Sequence, residues 1–427
     1  MSKPPYSLSS LALVFLALLA ILGSLSYIAL GLPLWGRIIV IVLALIGTYS
    51  LRHFFKKEAS EKPSISVLPL PVLGAIIIYV LVFLAGIYQL VHNQSERPLI
   101  SPWDVLPWTH SLLYAVATFC LLYLLPRLQK NLSLVLIILH YSWSFSVALI
   151  VYAIGYGFDP FIHQATVKAI EDLGRVYPTT VYYLGQYSLV TISHTLFGFT
   201  VEWWDKILVP ILAALSLPLV LYNKLKNHFS SPFLIILLLL LLPFSIFIVT
   251  TPQNLAYLLL IIVVIWSLKV STTGDLIMMS LLSLMALFTQ PIAGIPALLF
   301  TLYTIGITKL PVRYKKLITT TFLGFLVISL PLAFYIFTHQ SYNQPLHVTW
   351  PPLSDLFSFL VPENPVREIY YLDLVYFFSA GRGLLYIALI LFGVACAWKY
   401  KKEYVTRYGL PVLALVASAL LLSLIHI

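Results

Sequence analysis

Charge is what this sequence has least of. Only 9% of its 427 residues are Asp, Glu, Lys or Arg, against 60% hydrophobic ones, and the mean hydropathy is +0.97. A soluble domain of this length cannot cover its surface with so few polar groups, so a soluble globular protein is excluded. Cysteine is nearly absent as well. Cys120 and Cys396 both fall inside apolar runs, which excludes a disulfide framework or a cysteine metal knot and leaves them as packing residues. No low-complexity linker or soluble domain is visible, and the strict apolar/polar alternation of a membrane β-barrel is missing. The formal net charge of +10 comes from short basic clusters lying between apolar runs rather than on one surface. Such clusters report membrane orientation, not nucleic-acid binding.

What is there is a succession of apolar runs of about 17 to 25 residues, the length needed to cross a hydrocarbon core of roughly 30 Å. Helices satisfy their own backbone groups, so the fold class expected is an all-α polytopic membrane protein with about thirteen transmembrane helices. The first run, from about Ser7, is too long for a signal-peptide core and lacks a small-residue cleavage site, so it is expected to remain as a helix. Runs one to four end at Arg127 and Lys130. Run five spans about Leu132 to Ile154, and runs six to eleven follow from Trp203 and Trp204 to about Phe337. Run twelve returns to Lys399, Lys401, Lys402 and Arg407. A thirteenth ends at Ile427 with no polar flank, so the chain is expected to be cut short of a natural continuation. Lys and Arg clusters at Arg52 to Lys62, Arg127 to Lys130, Lys224 to Lys226, Lys269, Lys309 to Lys316 and Lys399 to Arg407 all fall on one side under this count. The positive-inside rule makes that side cytoplasmic, with the N-terminus inside. A plasma-membrane location follows as the expectation.

The two longest polar segments, about 155–202 and 339–376, then lie on the other face, which makes that face the working one. The first reads GYGFDPFIHQATVKAIEDLGRVYPTTVYYLGQ from Gly155 to Gln186. Asp159 and Pro160 suit the start of a helix. Phe161, Ile162, Ala165, Ala169, Ile170 and Leu173 then alternate with Gln164, Lys168, Glu171 and Asp172 in the manner of a short interfacial helix, which Gly174 would stop. One carboxylate is fixed at the membrane surface, with His163 about one turn away. Asp159 could serve as general base toward a hydroxyl, could bind a divalent ion, or could simply cap its helix. His163 could be a ligand-binding group or a hydrogen-bonded interface residue. Tyr177 to Tyr187 read as an aromatic belt at the outer interface, although aromatic rings also stack on sugars.

The run Phe158-Asp159-Pro160-Phe161-Ile162-His163, after a transmembrane helix and before an amphipathic one, resembles the GT-C superfamily of membrane glycosyltransferases. Members carry an acidic residue in the first large external loop of a seven-helix module. Taking run five as the first helix of that module makes run eleven the seventh, and a second functional loop falls after it. The resemblance thus covers residues 132–399, with 1–131 as a four-helix N-terminal addition and 400–427 as a C-terminal helix. It implies an inverting transferase that moves a sugar from a polyprenyl-phosphate donor to a glycan, lipid or protein acceptor on the non-cytoplasmic face. Asp159 would be the base, or a metal ligand if this branch uses Mg or Mn. Candidate substrate-binding residues are His163, Tyr183, Gln186, Gln290, His347, Arg367 and Arg382. The arginines could grip phosphate oxygens in bidentate fashion. They could equally pair with Glu363 or Glu368, or snorkel at a helix start.

Two other function classes stay open. A transporter or flippase would be marked by ionisable or helix-breaking positions near mid-membrane, of which His140 is the chief instance. A catalytically inactive structural membrane subunit would use the loops to hold a partner. Glu96 and Asp104 form a competing carboxylate pair in the first external loop, for which a solvated loop is the plainer explanation.

Overall fold

A computed structural model describes residues 7–55, 68–99, 101–157, 159–177, 182–226, 231–241, 245–342, 347–348 and seven scattered positions between 409 and 426. Thirteen α-helices lie among the described residues: α1 (Leu8–Leu30), α2 (Leu34–Leu51), α3 (Leu70–His92), α4 (Thr109–Leu124), α5 (Lys130–Val151), α6 (Asp159–Leu173), α7 (Leu184–Phe197), α8 (Val201–Leu225), α9 (Pro232–Leu238), α10 (Pro252–Ser267), α11 (Thr273–Thr289), α12 (Pro291–Lys309) and α13 (Val312–Tyr342). Seven of them, α1, α2, α3, α5, α8, α12 and α13, are long and apolar enough to cross a membrane; α4, α10 and α11 are shorter apolar helices. The architecture is that of a helical membrane protein. Its only described strand pairing joins His347–Val348 to Ile425–His426, antiparallel. Run twelve, most of run thirteen and most of 339–376 lie outside the described residues.

The sequence sets the helix ends in recognisable ways. Ser7, Thr200 and Thr251 accept a hydrogen bond from a backbone N–H of the first turn of α1, α8 and α10. Thr272 and Asp275 form a reciprocal capping box on α11. Contacts between helix ends then sort the chain into two faces. At one, the Ser7 N–H donates to the Phe55 carbonyl and Lys224 of α8 meets Asp275 of α11 at 2.7 Å. At the other, which carries α6, the Leu32 N–H of the α1–α2 turn donates to the Gly174 carbonyl. There too Ser95, just after α3, pairs with Tyr152, just after α5.

Two arginines lock α6 onto the first helical hairpin. Arg37 of α2 is buried and donates to the carbonyls of Leu32 (2.9 Å), Ile170 (3.4 Å) and Glu171 (2.6 Å), so it closes the C-terminal end of α6. Arg175, just past α6, donates in turn to the carbonyls of Tyr27 (3.0 Å) and Ile28 (2.6 Å) in the last turn of α1. Both place a cation where unpaired carbonyls and the helix dipole are negative. The N-terminal hairpin is therefore in direct contact with the polar segment, and α1 also packs against α7 and α11.

Candidate functional site

The turn from α5 into α6 is built on Gly155 and Gly157, at φ of +136° and +81°, backbone conformations in which a Cβ would be strained. This tight turn delivers Asp159 to the first position of α6, where the helix dipole favours a carboxylate. Asp159 is exposed, and no ion pair holds it among the described residues. His163, one turn on, is half-buried. Its Nδ1 lies 2.8 Å from the Tyr187 hydroxyl of α7, and its ring stands edge-on to Tyr183 at 5.0 Å between centroids. Burial holds His163 down at about 4, and the nearby Asp159 charge opposes that shift.

Tyr183 is the only non-glycine among the described residues with positive φ, at +68°. Such backbone costs energy and is kept only where surrounding structure enforces it. It sits at the entry to α7, an element the sequence reading did not anticipate. Where an aromatic belt is expected, Tyr182 and Tyr187 are buried and only Tyr177 is fully outward. Residues Leu184 to Ser193 are buried without a break.

Behind this cluster, the ends of α5, α6 and α8 enclose a cavity of about 490 Å³. Pro160, Phe161 and Gln164 of α6 line it, as do Tyr156, Trp203, Glu202, Asp205 and Lys206. Asp159 is absent from its wall and stands at its edge, adjacent to Pro160. Asp205 is 3% exposed, and its Oδ1 accepts a 3.0 Å bond from Gln186 Nε2. Lys206 turns away from it and donates to the carbonyls of Tyr152 (3.0 Å) and Ala153 (2.9 Å) at the end of α5. The pocket thus holds a desolvated carboxylate beside an ammonium engaged elsewhere, with aromatic walls, a combination suited to a polar ligand.

Among the residues singled out in the sequence, Asp159, His163 and Tyr183 come together at the α6 end, and Gln186 lies one layer deeper, fixed to Asp205. Gln290 is buried at the α11–α12 turn. Its neighbour Thr289 meets α7 at Gly185, where a Cβ would collide with the threonine hydroxyl. The side-chain oxygens of Gln186 and Gln290 are both buried with no partner among the described residues. His347 is placed by its backbone only, and Arg367 and Arg382 lie outside the described residues. No three His, Cys, Asp or Glu side chains converge to hold a metal ion among the described residues, so the alternative role of Asp159 as metal ligand gains no partner there. His140, the mid-helix histidine, meets Thr118 Oγ1 of α4 at 3.2 Å.

Sequence reasoning overlooked Asp205 and Lys206. The available signal was an Asp-Lys pair one turn inside a 25-residue helix whose next sixteen residues, Ile207–Tyr222, carry no charge, since ionisable residues in such helices are costly and tend to be retained for function. The two tryptophans before it drew the reading to the membrane surface instead. Comparison of the chain with protein-family models, with curated proteins and with solved structures gives no match.

Proposed function

We propose that this chain is a GT-C-type membrane glycosyltransferase with about thirteen transmembrane helices, moving a sugar from a polyprenyl-phosphate donor to an acceptor hydroxyl. The observation that carries the reading is the placement of Asp159. It stands exposed at the start of a short amphipathic helix, between two helices long enough to cross a membrane, beside a largely apolar cavity with a few ionisable groups. In the inverting reaction Asp159 takes the proton of the acceptor hydroxyl while that oxygen bonds to the anomeric carbon. The bond from that carbon to the phosphate oxygen breaks, and the electron pair leaves with the polyprenyl phosphate. A positioned base of this kind supplies about 10²- to 10⁴-fold in rate.

Positive-inside orientation puts the α6 face outside the cell. The experiment is transfer by the purified protein from a panel of polyprenyl-phosphate sugars. Asp159→Asn is expected to lower turnover by about 10²-fold or more with unchanged thermal stability. Turnover within twofold of the unaltered protein removes Asp159 from the base role.

One observation favours a second reading, a transporter or flippase for a lipid-linked or polar substrate. Asp205 is an acidic side chain buried inside a helix long enough to cross the membrane. Movement of a fluorescent polyprenyl lipid across proteoliposomes, with no chemical change to the lipid, would select that reading over transfer.

A further inference from the structure

We propose that the cavity between α5, α6 and α8 recognises a primary ammonium group, and that Asp205 is the side chain that binds it. The inference needs the cavity to be a ligand site but does not need sugar transfer.

A carboxylate removed from water is stable only if paired, hydrogen-bonded or neutralised. Asp205 is 3% exposed, and its one described bond is that from Gln186 to Oδ1. No described hydrogen bond or ion pair reaches Oδ2, although Asp205 lines a cavity of about 490 Å³. The next residue along the chain is a lysine, and it does not neutralise Asp205. Lys206 Nζ instead spends two donors on the Tyr152 and Ala153 carbonyls, 3.0 and 2.9 Å away. Among the lining residues there are two carboxyl groups, Glu202 and Asp205, and one ammonium, that of Lys206, whose donors are taken by the carbonyl end of α5. When Asp205 is ionised these groups sum to a negative charge, and a cationic guest is what would hold the buried carboxylate in that form. A primary ammonium has three donors, enough for Asp205 Oδ2 and a second acceptor. Trp203 and Tyr156, also on the wall, add aromatic faces that attract such a group.

An ammonium of this kind could come from an amino sugar or from the amine of a lipid. The test measures binding to purified full-length protein in detergent at pH 7. Glucosamine is compared with glucose, and dodecylamine with dodecanol, so that each amine has its own neutral counterpart. At least one amine is expected to bind tenfold or more tightly than its counterpart, and which pair responds identifies the source. Asp205→Asn keeps the Gln186 bond and is expected to weaken that amine at least tenfold. Lys206→Gln leaves Asp205 in place and removes a competing positive charge, so it is expected to tighten binding about threefold. The proposal is overturned if neither amine exceeds its neutral counterpart, if Asp205→Asn binds within twofold of the unaltered protein, or if Lys206→Gln weakens binding. Because no transfer is measured, failure here leaves the Asp159 reading standing, and failure of Asp159 as base leaves this one standing.

Discussion

His163 shows how one residue links the two helices of the polar segment. Its ring is held between Tyr183 and the Tyr187 hydroxyl, and burial keeps it neutral down to about pH 4. An unfolded histidine takes up its proton near pH 6.5. Between about 6.5 and about 4 the unfolded chain therefore binds a proton that the folded one refuses, and stability rises with pH across that window. The contribution is complete above about pH 6.5 and is lost as the pH falls toward 4, an effect of order 1–3 kcal/mol. Thermal unfolding in detergent at pH 7.5 and pH 4.5 is the measurement. His163→Gln should show a smaller difference between the two than the unaltered protein, and an equal difference would mean that His163 is solvated. The sequence placed His163 beside Asp159 by helical spacing. It could not show that the ring faces Tyr187, 24 positions away across an unanticipated helix.

At the scale of elements, amphipathic α6 was legible because its apolar positions recur at helical spacing between a proline start and a glycine stop. Helix α7 was not. Its sequence, LGQYSLVTISHTLF, is short and dotted with hydroxyl, amide and imidazole groups, and it follows a run of tyrosines, so it reads as surface loop. Some of its hydroxyls turn back on the helix itself: Thr191 Oγ1 donates to the Tyr187 carbonyl at 2.7 Å, and Thr195 Oγ1 to the Thr191 carbonyl at 3.2 Å, while Ser188 Oγ is buried with no partner among the described residues. At its far end His194 meets Glu171 of α6 at 2.8 Å. Arg37 then fixes the same end of α6 from the other side. Removing a charged donor from buried carbonyls costs about 1.5–3 kcal/mol. Arg37→Met should accordingly speed amide exchange in peptides covering 159–173 by tenfold or more, while peptides from α11 stay protected. Faster exchange throughout the molecule would show that Arg37 supports the entire fold rather than this one joint.

Over the whole molecule, the apolar helices were readable because hydrocarbon thickness dictates their length, whereas the face each end occupies is an expectation drawn from the positions of lysine and arginine. On the α6 face the basic residues are mostly engaged within the protein: Arg37, Arg175 and Lys206 on backbone carbonyls, and Lys168 on Glu171 and Asp172. On the opposite face Arg52, Arg127, Lys130, Lys226, Lys269 and Arg313 follow or precede apolar helices. There Lys224 forms a buried pair with Asp275, Arg127 donates to the Tyr123 carbonyl, and Arg52 and Lys130 lie over the rings of Tyr49 and Tyr222. The positive-inside rule predicts that the face away from α6 is the cytoplasmic one. A single cysteine at position 104 and another at position 269 test this. In a chain with Cys120 and Cys396 replaced by Ala, Asp104→Cys should react with a membrane-impermeant maleimide on intact cells. Lys269→Cys should react only after the cells are opened. Labelling of both from outside would break the alternation between α3 and α11, and labelling of 269 alone would turn the cavity and Asp159 toward the cytoplasm.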